Sequence, residues 1–135
     1  MTQLQDSEIK GMTVLIADDD DAMRSVLDEV LRACELQVVG QARDGKEAVD
    51  RYRKLRPKIV CLDMEMPEMN GVEALTEIRS ESDDVIILLI TGSATSAVVK
   101  SAIAARVDGI IAKPFSAARV RAEITRCVIR AAQKK

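Results

Sequence analysis

Tryptophan and histidine are absent from this chain of 135 residues, and Tyr52 and Phe115 are its only aromatic residues. An aromatic cage or a base-stacking platform has no material to be built from, which argues against direct nucleic-acid recognition of the single-stranded kind. The core has to come from Ile, Leu, Val, Met and Ala. Cysteine is sparse and odd in number, with Cys34, Cys61 and Cys127 set largely inside apolar patterns; this predicts reduced, buried thiols in a cytoplasmic protein. A basic segment followed by an apolar one is missing at the start. The longest uncharged apolar stretch, Val85 to Ile90, is far too short to cross a bilayer, so no membrane insertion is expected. Glycine is scarce where a dinucleotide would need it: four acids, Asp18 to Asp21, follow the first apolar run, and they would repel a pyrophosphate. Repeats, low-complexity linkers and a second domain are likewise missing, and the length suits one core.

What is there is a repeated grammar. Met12–Ala17, Leu36–Ala42, Pro57–Leu62, Val85–Ile90 and Asp108–Lys113 read as strands. Each is followed by a segment with apolar residues at three- and four-residue spacing: 22–34, 44–55, 72–80, 93–106 and 116–132. Inward anchors are expected at Leu27 and Leu31 with Val26 and Val30, at Ala48, Val49, Tyr52 and Leu55, at Leu75 and Ile78, at Val98, Val99, Ala102 and Ile103, and at Val120, Ile124, Cys127 and Val128. Five strand–helix units with right-handed crossovers give a three-layer α/β fold with a doubly wound parallel five-stranded sheet. The strand at 36–42 is the most polar and belongs at an edge, compatible with the flavodoxin-like order 2-1-3-4-5. Residues 1–11 read as a loose arm, 12–132 as the domain, and no output domain is expected.

Acids end two of the apolar runs, Asp18 and Asp19 after the first and Asp63 after the third. In an open sheet of that order the first and third strands flank the switch point, where chemistry is placed. Thr91 and Lys113 end the fourth and fifth strands on the same rim. Any one of these residues alone is simply a strand returning to water; the coincidence of four is what carries chemistry. Crowded carboxylates raise one another's pKa unless a cation is present, and an oxygen-rich acidic cluster suits Mg²⁺. Asp63 would then stay ionised and able to attack phosphorus, with Lys113 and the Thr91 hydroxyl facing the phosphoryl oxygens. Charge is uneven as well. Residues 113–135 hold seven Lys/Arg against one Asp/Glu, and Arg119, Arg126 and Arg130 on the last helix are candidates for a partner surface.

Leu15–Arg24, Leu62–Gly71, Leu89–Gly92 and Lys113–Phe115 together resemble the receiver domain of bacterial two-component response regulators, of the free-standing chemotaxis or phosphorelay type. The resemblance spans residues 12–132. It implies that Asp63 is the phosphoacceptor, that Asp18 and Asp19 are metal-site acids, and that Glu65 offers a backbone carbonyl to Mg²⁺, for which Mn²⁺ could substitute. Thr91 becomes the switch hydroxyl and Lys113 the site lysine. The implied activity is a phosphorylation-dependent switch that phosphorylates and dephosphorylates itself without turning over a substrate. With no histidine in the chain, the donor must be another molecule, a histidine kinase or a histidine phosphotransfer protein carrying phosphohistidine, or a small phosphodonor, and the signal passes to a downstream protein target. One position departs from the pattern: Ile110 stands where the family commonly has an aromatic switch residue. Two other readings compete, a receiver-like interaction module that works without phosphorylation and an Mg²⁺-dependent aspartyl phosphatase. The first predicts decay among Asp19, Asp63, Thr91 and Lys113, none of which has decayed. The second wants an Asp two residues after the nucleophile, where Glu65 stands.

Overall fold

The computed structural model describes residues 8–134. From Thr13 to Gln133, five strands, β1 (Thr13–Ala17), β2 (Gln37–Ala42), β3 (Ile59–Asp63), β4 (Ile86–Thr91) and β5 (Gly109–Ala112), alternate with five helices, α1 (Asp21–Ala33), α2 (Gly45–Leu55), α3 (Gly71–Glu81), α4 (Ser96–Ala104) and α5 (Ala117–Gln133). All pairings are parallel and the order is β2-β1-β3-β4-β5, as the pattern of polarity predicts. The polar strand β2 is at an edge, and its pairing with β1 slips by one residue after Val14.

Alternation along the strands divides the core between the two sheet faces. Val14, Ile16, Ile59, Cys61, Leu88 and Ile111 pack with Leu27 and Leu31 of α1 and with Val120, Ile124 and Cys127 of α5. Leu15, Ala17, Val60, Leu62, Ile87 and Leu89 pack with Val49 and Tyr52 of α2, Leu75 and Ile78 of α3, and Ala102 of α4. Each fully buried Leu or Ile contributes about 1.5–3 kcal/mol by its removal from water. All three cysteines are buried and free. Burial pushes the Cys61 thiol up to about 12 and the Cys127 thiol to about 11, so both stay protonated.

Helix starts follow from side chains that accept otherwise orphaned backbone N–H groups. Asp20 caps α1 from Ala22 and Met23, Asp44 caps α2, Asn70 and Glu73 form a capping box on α3, and Thr95 and Ser116 cap α4 and α5. Thr95 starts α4 at Ser96, so residues 93–95 are not helical as the propensity of Ser93–Arg106 suggests.

Several sequence expectations are corrected. Residues 1–7 of the supposed arm lie outside the described residues, but Ile9 is buried in the α1/α5 core and the Gly11 N–H donates to the Glu35 carbonyl at 2.8 Å. One isoleucine among polar neighbours has no period to reveal it. Leu55 is 41% exposed because it is the last residue of α2, where its Cδ1 sits close over Gly40 of the edge strand. Ile103 is 62% exposed because α4 is short and buries only Ala102. Val26 also faces solvent, leaving Leu27 and Leu31 to anchor α1.

The loop leaving β3 depends on close backbone approach. A Cβ on Gly71 would lie 2.5 Å from the Asp63 carbonyl oxygen and 2.9 Å from Met64 Cα. Both are main-chain atoms that cannot rotate away. The Gly71 N–H meanwhile donates to the Met64 carbonyl at 2.9 Å. Gly71→Ala should therefore cost roughly 1–3 kcal/mol, the usual penalty of overpacking. Urea melts measure it, and an unchanged midpoint would mean that the loop can retreat from Asp63.

Candidate functional site

The four strand ends converge on one rim. Asp18 follows β1, Asp63 ends β3 and pairs in register with Ile90, Thr91 ends β4, and Lys113 follows β5. Of the acidic run after β1, Asp20 is spent as the α1 cap and Asp21 accepts from Arg24 at 2.6 Å. That guanidinium holds the Asp21 carboxyl below the usual carboxylate range. Asp18 and Asp19 are left to face Asp63. One carboxylate oxygen from each of the three lies within 4.8 Å of the others. Asp18 and Asp63 are buried and Asp19 is exposed, so the group is a recess with one open side. Beside it runs a cleft of about 450 Å³ lined by Asp19, Met64, Glu65, Met66, Pro67 and Asn70.

Lys113 reaches into the same recess. Its Nζ donates to Asp63 Oδ1 at 3.0 Å and lies 3.5 Å from Asp18 Oδ2. Burial and the charge of Asp18 push the Asp63 carboxyl above the usual range, against the lowering effect of Lys113 and the Glu65 backbone N–H. Burial alone would lower Lys113, but Asp63 and Asp18 outweigh it and hold the ammonium above the ordinary lysine range. The recess thus holds three acids against one internal cation. Three clustered carboxylate oxygens are the hard donors that a divalent cation of the Mg²⁺ type takes, and an open side leaves room for its retained waters. These residues fit such an ion.

Thr91 is fully buried, and its Oγ1 accepts from the Ser93 N–H at 3.0 Å. Its own proton is therefore available to another acceptor. Ile110 is partly buried and sits beside Leu89 in register, against the cluster that holds Ala102, Val98 and Ala105. Of the arginines on α5, Arg119 and Arg130 are exposed and make no ion pair among the described residues, whereas Arg126 pairs with Glu123. The sequence sign of that engagement is an acid three residues before Arg126 on the same helix.

Sequence reasoning assigned no role to Arg24, though it braces the main chain of the acidic recess. Its Nη1 donates to the Asp18 carbonyl at 2.8 Å and its Nε to Gln41 Oε1 at 2.9 Å. The only available signal was a cation three residues after Asp21.

A family model described as the response regulator receiver domain matches residues 14–125. The chemotaxis protein CheY of Thermotoga maritima is 39% identical over 110 residues, covering 82% of this chain and 92% of that protein. The CheY of Bacillus subtilis is 36% identical over 107 residues, covering 79% of this chain and 89% of that protein. Among solved structures, the CheX–CheY–BeF3–Mg²⁺ complex from Borrelia burgdorferi superposes with a TM-score of 0.83 at 26% identity, over 87% of this chain and 89% of that one. No helix among the described residues is long and apolar enough to cross a membrane.

Proposed function

The chain belongs to the response regulator receiver family, and we propose that its phosphorylation-dependent signalling runs through Asp63 as the acceptor of a phosphoryl group from a phosphohistidine donor. The observation that carries this reading is the Asp63 carboxylate at the end of the central strand, between two acids and the Lys113 ammonium. One Asp63 oxygen attacks phosphorus while the bond from phosphorus to the donor's imidazole nitrogen breaks, and that electron pair leaves with the imidazole. Lys113, already paired with Asp63, is within reach of the phosphoryl oxygens that would replace the free carboxylate. Thr91 has a proton to donate to one of them. Asp18, Asp19 and Asp63, with the Glu65 backbone carbonyl, would hold Mg²⁺ or Mn²⁺, which neutralises charge on the transferred group. Self-phosphorylation and self-dephosphorylation are the whole of the catalysis.

The partners are proteins, and two faces are suited to them. A histidine kinase or histidine phosphotransfer protein must approach the open side of the recess, at Asp20, Ala22 and Met23, where the exposed Val26 adds apolar contact. The downstream target reads residues 92–106, β5 and α5, where Ile103 is exposed and Arg119 and Arg130 are free to make charge-assisted contacts. Ile110 has no ring to swing inward, so the readout rests on the weakly anchored α4. Residues 12–132 form the receiver unit, to which Ile9 and Gly11 add packing and a hydrogen bond, and the chemistry is that of a cytoplasmic protein.

The test is transfer of labelled phosphate from a phosphorylated histidine phosphotransfer protein in Mg²⁺, followed by peptide mapping. Label on the peptide containing Asp63 supports the reading; label confined to another peptide sinks it. Asp19→Asn should weaken Mg²⁺ binding by about tenfold or more, measured by calorimetric titration, because it removes the one acid on the open side. Equal affinity in wild type and variant would place the ion elsewhere.

A further inference from the structure

The three acids of the recess are not equally well held. Asp63 is anchored by Lys113, and Asp18 Oδ1 accepts from the Asp20 N–H at 2.9 Å. Asp19 is exposed, and its carboxylate makes no hydrogen bond among the described residues. Its direction is therefore set by its backbone alone, chiefly by the peptide plane that joins Asp18 to Asp19. The carbonyl of that peptide is the group to which Arg24 Nη1 donates, at 2.8 Å.

Arg24 is itself held on two further sides. Its Nε donates to Gln41 Oε1 on β2 at 2.9 Å and its Nη2 to Asp21 Oδ1 on α1 at 2.6 Å. Its side chain is only 14% exposed. One planar guanidinium thus ties together the end of β1, the edge strand and the first turn of α1. A long flexible ammonium has no such fork of donors.

We propose that Arg24 is a positioning residue for the metal site, fixing the Asp18–Asp19 peptide so that the otherwise unanchored Asp19 carboxylate points into the recess. The inference rests on the reading of that recess as an Mg²⁺ site. It makes a claim that charge alone contradicts: Arg24 is a cation close to a cation site, so by Coulomb repulsion its removal should tighten Mg²⁺ binding. Positioning predicts the opposite sign.

Mg²⁺ titration by calorimetry on the folded, full-length protein separates the two, because it reads affinity in the native state whatever the folding stability. Arg24→Ala should bind Mg²⁺ about tenfold more weakly, in the range expected for a group that supports a ligand rather than ligating. Arg24→Lys keeps the charge without the fork; it should fall between wild type and Arg24→Ala, and it stands in should Arg24→Ala fail to fold. Urea midpoints in EDTA establish that each variant is native under the titration conditions. Wild-type or tighter affinity in Arg24→Ala overturns the proposal while leaving the Mg²⁺ site standing, as does wild-type affinity in Arg24→Lys if that variant has to stand in. Absence of Mg²⁺ binding in the wild type overturns both.

Discussion

Incubation with phosphoramidate and Mg²⁺ should add the mass of one phosphoryl group to the wild-type protein and nothing to Asp63→Asn. An amide is too weak a nucleophile to replace the carboxylate. The neighbouring acids cannot deputise for it. Asp18 is 3% exposed and its Oδ1 is already committed to the Asp20 N–H, while Asp19 lies outside the lysine's reach of 3.0 Å to Asp63 and 3.5 Å to Asp18. The expected effect is a fall to the detection limit of intact-mass measurement. Modification of the variant at the wild-type rate would show that another group accepts the phosphoryl group.

The same substitution should stabilise the metal-free protein at neutral pH. The folded state holds the Asp63 carboxyl above its ordinary value of 3.8, by burial first and by Asp18 second, even with Lys113 pulling the other way. Ionised Asp63 therefore costs stability at every pH above its native pKa. That cost is relieved as pH falls through the raised native value toward the unfolded one. Lys113 has the complementary sign: its raised pKa stabilises below its ordinary value near 10.5 and is lost only as pH climbs through the raised one. At pH 7 its contribution is complete, and in the variant it keeps Asp18 as a partner. Asn imitates the protonated acid at all pH values. In EDTA the urea midpoint of Asp63→Asn should thus exceed that of wild type at pH 7, and the gap should close as the solution is acidified. A lower midpoint at pH 7 would mean that the Lys113 pair outweighs the burial of the charge.

The fold and the rim of the sheet were legible because both follow from side chains that repeat or that end a run. Continuous apolar strands and helical stripes give the layers, and the polar edge strand gives the order. Acids at the ends of β1 and β3 give the recess. What the sequence conceals is any polar side chain that reaches back to a main-chain carbonyl, since such a contact leaves no period. Arg24 on Asp18 is one case and Arg79 another. Arg79 follows Ile78 in a helix whose inward face reads as Leu75 and Ile78, yet it is itself 5% exposed. The acidic run shows a second limit. The strand end marked Asp18 and Asp19 for the recess, but the roles of the other two were divided only in the first turn of α1, where Asp20 is the cap and Asp21 pairs with Arg24.

The largest loss of stability should come from Arg79→Met, at the end of the sheet away from Asp63. Arg79 Nη1 donates to the Val85 carbonyl at 2.7 Å, Nη2 to the Arg106 carbonyl at 2.9 Å and to Asp108 Oδ2 at 2.8 Å, and Nε to the Arg106 carbonyl at 3.2 Å. It joins the end of α3 to the entries of β4 and β5. The same Asp108 oxygen also accepts from the Ile87 N–H at 2.8 Å. Removing the guanidinium strands the partly buried Asp108 charge and two carbonyls, a loss of about 3–5 kcal/mol for a broken buried pair. Small domains have only about 5–15 kcal/mol in total. The remedy follows from the cause: Asp108→Asn in the Arg79→Met background should recover part of the loss, because an amide strands no charge while still accepting from Ile87. Mg²⁺ bound at the opposite rim would stabilise the native state by mass action, so the difference between Arg79→Met and wild type should be the same in Mg²⁺ as in EDTA. Urea melts of the three proteins in both conditions decide the matter. A loss below about 1 kcal/mol would make Arg79 an ordinary surface pair, and a loss that Mg²⁺ erases would couple the two ends of the sheet.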